Sequence, residues 1–219
     1  SMVAHWKQMD QSHANSSLPL LIGDQGCGKS TWCRNLLPLE LREYYTDSID
    51  LSNKRNAELA LNRYALINID EYDSIKSKDQ SFLKHLLQKP ELNTRLPFKR
   101  SAGILKRYAS FIATCNNFDL LTDPTGSRRY LCIEIQGTIN HSHPVDHAQL
   151  YAQAISALRA GQRYWFTKEE ETETTESNTQ FQQIPLEEQL FHQHFRAPVN
   201  DEEGEYLPAI EILQLLQQR

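Results

Sequence analysis

The chain has 219 residues, of which 39% are hydrophobic and 23% charged, and its formal net charge is −5. Such a chain can bury a full core and is not a disordered polyelectrolyte, while the negative balance excludes a global basic footprint for nucleic acid. No stretch approaches the roughly 20 apolar residues of a membrane span and no signal peptide opens the chain, so the sequence predicts a cytoplasmic protein without a membrane partner. The four cysteines, Cys27, Cys33, Cys115 and Cys132, form no CxxC pair and fit a reducing compartment.

In chain order, residues 1–17 are polar apart from Trp6 and read as an N-terminal arm or helix. Residues 18–22 are an apolar strand that runs into the glycine loop Gly23-Asp24-Gln25-Gly26-Cys27-Gly28-Lys29-Ser30, and 29–37 read as a helix closed by Pro38. A second strand is predicted over 44–49 and a helix over 56–64. Residues 65–69, apolar except for Asn68, fit a strand covered on both faces and end on Asp70-Glu71. A helix over 81–87 stops near Pro90. The basic stretch 95–107, with Pro97 and Ser101-Ala102-Gly103, reads as a hairpin, and 109–115 and 130–135 as further strands. Strands alternating with helices predict an α/β fold with a parallel sheet and flanking helices. After residue 135 the pattern changes: a loop at 141–144, a helix over 148–160, a polar linker-like run over 169–178, and helical residues over 184–219 that stop in an unfinished amphipathic helix. The expected organisation is an arm over 1–17, a P-loop NTPase core over 18–138, and a small, mostly helical C-terminal region over 139–219, truncated at its end.

The glycine loop matches G-x-x-x-x-G-K-[ST] in full, with Thr31 following. Its backbone N–H groups converge on phosphate oxygens, Lys29 neutralises the β and γ phosphates of ATP, and the Ser30 hydroxyl ligates Mg²⁺. Asp70, at the tip of a buried strand, holds the same Mg²⁺ through water, and Glu71 polarises the attacking water, which favours hydrolysis over phosphoryl transfer to a small molecule. Asn116 ends the next apolar strand, where a neutral amide reaches both the lytic water and the γ phosphate. Arg128 and Arg129 precede the last strand. An arginine there stabilises transition-state charge on a neighbouring subunit's phosphate, or else serves a structural ion pair, and the sequence leaves the choice between the two arginines open.

Lys99, Arg100, Lys106 and Arg107 on the hairpin are candidate contacts to nucleic-acid phosphates, with a solvated basic face as the competing reading; Phe98 is either a stacking or a core residue. His141, His143 and His147 lie close in sequence, but no cysteine or acid cluster completes a metal site, so a polar loop is the preferred reading.

The set Gly-Asp-Gln-Gly-Cys-Gly-Lys-Ser-Thr, Asn-Ile-Asp-Glu, Phe-Ile-Ala-Thr-Cys-Asn and Leu-Thr-Asp-Pro-Thr-Gly-Ser-Arg-Arg-Tyr resembles the virulence-associated protein E family over residues 18–135. These are superfamily 3-like helicase domains of phage, plasmid and integrated-element replication proteins, often joined to a primase. The resemblance implies an AAA+-like core, a homo-oligomeric ring in the full-length protein, ATP hydrolysis at subunit interfaces and translocation on single-stranded DNA. It also implies that a primase domain can share the polypeptide. Carried over by position, Lys29 and Ser30 contact the nucleotide, Asp70 and Glu71 form the second motif, Asn116 is the sensor and Arg128 or Arg129 the arginine finger. Leu131-Cys132 stands where relatives often have Trp-Pro. Residues 186–213 are similar to the appendix that follows this core in Bacteroidetes-type members. The expectation is an ATP-dependent helicase core acting in replication of a mobile element; the alternative is an ATP-binding, oligomeric switch that does not unwind nucleic acid.

Overall fold

The structure, a computed structural model, describes residues 1–9, 14–94, 103–121, 124–141, 144–183, 186–196, 204 and 206–217. At its centre five strands run parallel: β1 (Leu18–Ile22), β2 (Tyr45–Thr46), β3 (Leu66–Ile69), β6 (Ser110–Cys115) and β7 (Tyr130–Glu134), in the spatial order β2-β3-β6-β1-β7. The order is not the chain order because parallel neighbours need crossovers, supplied here by α2 (Lys29–Asn35), α3 (Lys54–Arg63) and α4 (Ser77–Gln88). Every residue of β3 and β6 is buried, as continuous apolar runs in a doubly covered sheet require. Pro19 sits inside β1, but pairing with β6 begins only at Leu20, so the missing N–H falls where β7 alone borders the strand.

The larger core cluster joins Leu18, Leu20 and Ile22 of β1 to Phe111 and Ala113 of β6 and to Leu83, Leu86 and Leu87 of α4. On the other face, Leu21, Leu66 and Ile112 meet Cys33 and Leu37. That face is extended by α1 (Met2–Trp6), whose Trp6 indole N–H donates to the Ala65 carbonyl at 2.9 Å and whose ring lies 5.9 Å from that of Tyr151. Tyr151 belongs to α5 (His147–Arg159), so the arm and a later helix close this layer together.

The strand expected over 44–49 is only Tyr45–Thr46. The Ser48 amide turns back to the Thr46 hydroxyl at 3.2 Å, and Asp47 leaves the ladder to pair with Arg34 at 2.9 Å. The linker expected over 169–178 is helix α6 (Lys168–Ser177). A capping box makes it so: the Thr167 hydroxyl accepts from the Glu170 amide while Glu170 accepts from the Thr167 amide, and Glu169, Glu170 and Glu171 in the first turn suit the helix dipole. Packing runs on past position 138. The buried Asn178 amide donates to the Ser127 and Tyr130 carbonyls at 2.8 Å each, and Phe181 enters the main core. Beyond it lie α7 (Leu186–His194) and α8 (Ala209–Gln217). No helix among the described residues is long and apolar enough to cross a membrane.

The hairpin is present as β4 (Glu91–Thr94) and β5 (Gly103–Lys106), antiparallel, with Glu91 opposite Lys106. Lys99, Arg100 and Phe98 lie outside the described residues. Lys106 is exposed, but the reading of Arg107 as a nucleic-acid contact is corrected. Arg107 is 5% exposed, and its guanidinium donates to the carbonyls of Ala109, Leu86, Leu87, Lys89 and Asn15 at 2.8–3.0 Å while lying over the Phe111 ring. Nη1 faces the carbonyls of Leu86, Leu87 and Lys89 around the end of α4, while Nε and Nη2 hold those of Ala109 and Asn15, and burial lowers its pKa to about 10. Arg107→Ala should therefore lower unfolding free energy by roughly 3 kcal/mol, with Arg107→Lys recovering only part because an ammonium cannot reproduce the fork. Urea unfolding measures this; unchanged stability together with lost DNA binding would restore the contact reading.

Candidate functional site

The parallel register brings three strand ends to one edge. Ile22 of β1 pairs with Cys115 of β6, and Ala113 of β6 pairs with Ile69 of β3, so the loops that begin at Gly23, Asp70 and Asn116 leave the sheet side by side. Between them is a cleft of about 340 Å³ lined by Gln25, Gly26, Gly28, Lys29, Ser30, Thr31, Asp70, Glu71, Thr114, Cys115, Asn116 and His141.

The loop geometry explains its glycines at two points. Gly28 caps α2 at φ +94°, a conformation costly for a side-chain-bearing residue. A Cβ at Gly23 would come within 3.0 Å of the Ile135 carbonyl oxygen. That contact exists because the chain after β7 runs across the loop, with the Ile135 amide donating to the Ile22 carbonyl at 2.7 Å and the Ile139 amide to the Cys27 carbonyl at 2.8 Å.

Lys29 is 6% exposed, and its ammonium is fully engaged. Nζ donates to the Gly23 carbonyl at 2.6 Å, the Asp24 carbonyl at 2.8 Å and Asn116 Oδ1 at 3.1 Å. Three oxygen acceptors thus meet the three hydrogens of this buried ammonium in place of water. Ser30 Oγ donates to Asp70 Oδ1 at 2.8 Å, and the Thr114 hydroxyl donates to the same oxygen. One hydroxyl and one carboxylate held together fit Mg²⁺, which takes few protein oxygens and keeps waters.

Glu71 follows Asp70 with φ +52°, left-handed backbone in a residue that carries a side chain. Such strain is held where the surroundings dictate it, and here the next loop helps, because Asn117 Nδ2 donates to Asp73 Oδ2 at 2.6 Å. Below the loop, burial first and the Asp70 charge second push the Cys33 thiol up to about 12, so it is an inert packing group. Burial also raises Cys132 to about 12.

Arg128 and Arg129 do not join this cleft. They precede Tyr130, which pairs with Leu18 at the start of β1, whereas the glycine loop leaves from Ile22 at its end. Four strand steps, roughly 13 Å, separate the two edges. Arg128 pairs with Glu171 at 3.2 Å, and Arg129 Nε lies 3.2 Å from the Gln88 amide oxygen once that amide is turned to face it. Both line a separate cleft of about 1000 Å³ that also contains Asn15, Tyr164 and Trp165.

Three cleft-lining residues are not among the sequence candidates: Cys115, which is a buried thiol, Thr114 and His141. Thr114 was absorbed into an apolar strand, although it lies two residues before Asn116 and thus on the same strand face. His141 was read as part of a polar loop; its position over Gly28 is a tertiary fact with no local signal. His147 is not beside it in function: its Nε2 meets the Asn35 carbonyl at 2.8 Å. His143 lies outside the described residues, and no group of three metal-binding side chains occurs among those described.

A model of the virulence-associated protein E-like domain matches residues 2–183, continuing through the boundary expected near 138. A domain of unknown function described from a B. theta gene matches residues 184–219. No curated protein matches. The apo structure of the NrS-1 C terminal region (305–718) is similar at 16% identity over 82% of this chain and 39% of that one, with a TM-score of 0.46. Its A form apo structure, also at 16% identity and 82% coverage, spans 38% with a TM-score of 0.44. The chain therefore spans less than half the length of those structures. The match over residues 2–183 establishes that the chain belongs to the virulence-associated protein E-like domain family.

Proposed function

We propose that this chain is the ATP-hydrolysing core of a superfamily 3-like helicase that acts in the replication of a mobile element and moves on single-stranded DNA. The observation that carries the reading is the joining of three separated motifs through two bonds, Lys29 Nζ to Asn116 Oδ1 at 3.1 Å and Ser30 Oγ to Asp70 Oδ1 at 2.8 Å. A structural glycine turn has no need of an ammonium, an amide and a carboxylate in one cleft.

In this reading the loop amides and Lys29 hold the β and γ phosphates, and Ser30 and Asp70 hold Mg²⁺, which neutralises phosphate charge. Asn116 positions a water, and Glu71 takes its proton. The water oxygen bonds to the γ phosphorus, the bond to the β–γ bridging oxygen breaks, and ADP and phosphate leave. Lys29 already bonds Asn116, so a γ phosphate would enter between partners that face it. Arg128 and Arg129, at the opposite edge of the sheet, would act on the cleft of an adjoining copy, as head-to-tail assembly into a ring requires. Completion in trans is worth about 10³ to 10⁵ in rate where an arginine finger operates, so a monomer should turn over slowly.

ATP hydrolysis by the purified chain should be Mg²⁺-dependent and stimulated by single-stranded DNA. Lys29→Ala should abolish it, and Glu71→Gln should lower turnover at least 100-fold with ATP affinity kept. Wild-type turnover by Lys29→Ala would remove the assignment. DNA affinity should also fall steeply between low and moderate salt, as phosphate contacts demand; binding indifferent to salt would argue against the DNA part of the reading and for a nucleotide switch.

A further inference from the structure

The triphosphate reading gives Lys29, Ser30, Asp70, Glu71 and Asn116 their roles in the cleft but leaves His141 without one. This exposed residue lines the cleft, and its ring is fixed there by two constraints. Nδ1 lies 3.1 Å from the Ile139 carbonyl oxygen, and Ile139 is itself tied to the loop by its amide bond to Cys27. A Cβ placed on Gly28 would meet His141 Nδ1 at 3.2 Å, so the imidazole rests directly against the bare face of that glycine.

A carbonyl oxygen only accepts, so Nδ1 must carry the hydrogen, and in the neutral ring Nε2 is then an acceptor. Such a nitrogen attracts an O–H or N–H donor and not a phosphate oxygen, which has no hydrogen to give. Asn116 and Asp70 bond Lys29 and Ser30, while His141 reaches the same cleft from the strap formed by residues 135–141 and rests against Gly28. A bound triphosphate can offer such an acceptor a donor only from its nucleoside.

We infer that His141 reads the nucleoside end of the bound triphosphate, its Nε2 accepting a hydrogen bond from a ribose hydroxyl or the base amino group. The residue is a specificity determinant and has no part in the bond-breaking step. The inference rests on the triphosphate reading, and the test separates the two.

Equilibrium titrations compare ATP with inorganic triphosphate, which has no nucleoside, on wild type and His141→Ala. One hydrogen bond corresponds to roughly a threefold to tenfold change in Kd. His141→Ala should weaken ATP by that factor and leave inorganic triphosphate unchanged. Repeating the pair with 2′,3′-dideoxyadenosine triphosphate and with inosine triphosphate assigns the donor, because the analogue that has lost it binds both proteins alike. Unchanged ATP affinity would overturn the inference. So would equal weakening of ATP and inorganic triphosphate, which is the signature of a loosened strap. Wild-type protein that binds neither ligand would remove the triphosphate reading itself.

Discussion

The register of three parallel strands sets every distance in the cleft. Ile22 is level with Cys115 and Ile69 with Ala113 two residues earlier, so the side chains that follow these strand ends gather at one edge of the sheet. In a parallel sheet all carboxyl ends lie on one edge, so loops separated by more than forty residues in sequence become neighbours without any loop reaching far. The apolar burial that fixes this register, Leu20 and Ile22 against Ala113 and Phe111 with α4 behind them, is thus also what holds the polar groups in place.

The same register separates the arginines from the cleft. Whatever precedes β7 is at the amino edge, and Arg128 and Arg129 are there with Tyr164 and Trp165. A chain built this way carries one part of the proposed hydrolytic machinery at each end of its sheet, a division that suits copies stacked head to tail. Arg107 is the counterpart on the structural side. It joins the end of α4, the base of the hairpin, the arm near Asn15 and the start of β6 through one guanidinium, so the hairpin is referred to the strand that leads into Asn116.

Much of this was legible in the sequence because its signals are local. The glycine loop is a contiguous pattern, and the buried strands announce themselves as apolar runs, so the α/β class and the positions of Lys29, Ser30, Asp70 and Asn116 follow directly. What was not legible depends on tertiary contact. Arg107 belongs to a basic run and reads as surface charge, yet five carbonyls converge on it. His141 lies in an undistinguished polar segment and gains meaning only because the chain after β7 crosses the loop. Helix α6 is a different case. Its acid-rich sequence looks like a linker, but Thr167 and Glu170 are a capping box at the right spacing, a local signal that composition concealed. The boundary expected near 138 followed the change in composition there, whereas Asn178 and Phe181 return to the core much later.

The central claim, that the cleft around Lys29 is half of a hydrolytic site completed by another copy, is tested most directly by mixing two inactive proteins. Lys29→Ala and the Arg128→Ala/Arg129→Ala double variant are each assayed alone and then together with ATP, Mg²⁺ and single-stranded DNA. The account predicts that each alone is nearly inactive and that the mixture recovers hydrolysis, since some interfaces then join an intact loop to intact arginines. Wild-type turnover by the double arginine variant alone would contradict it.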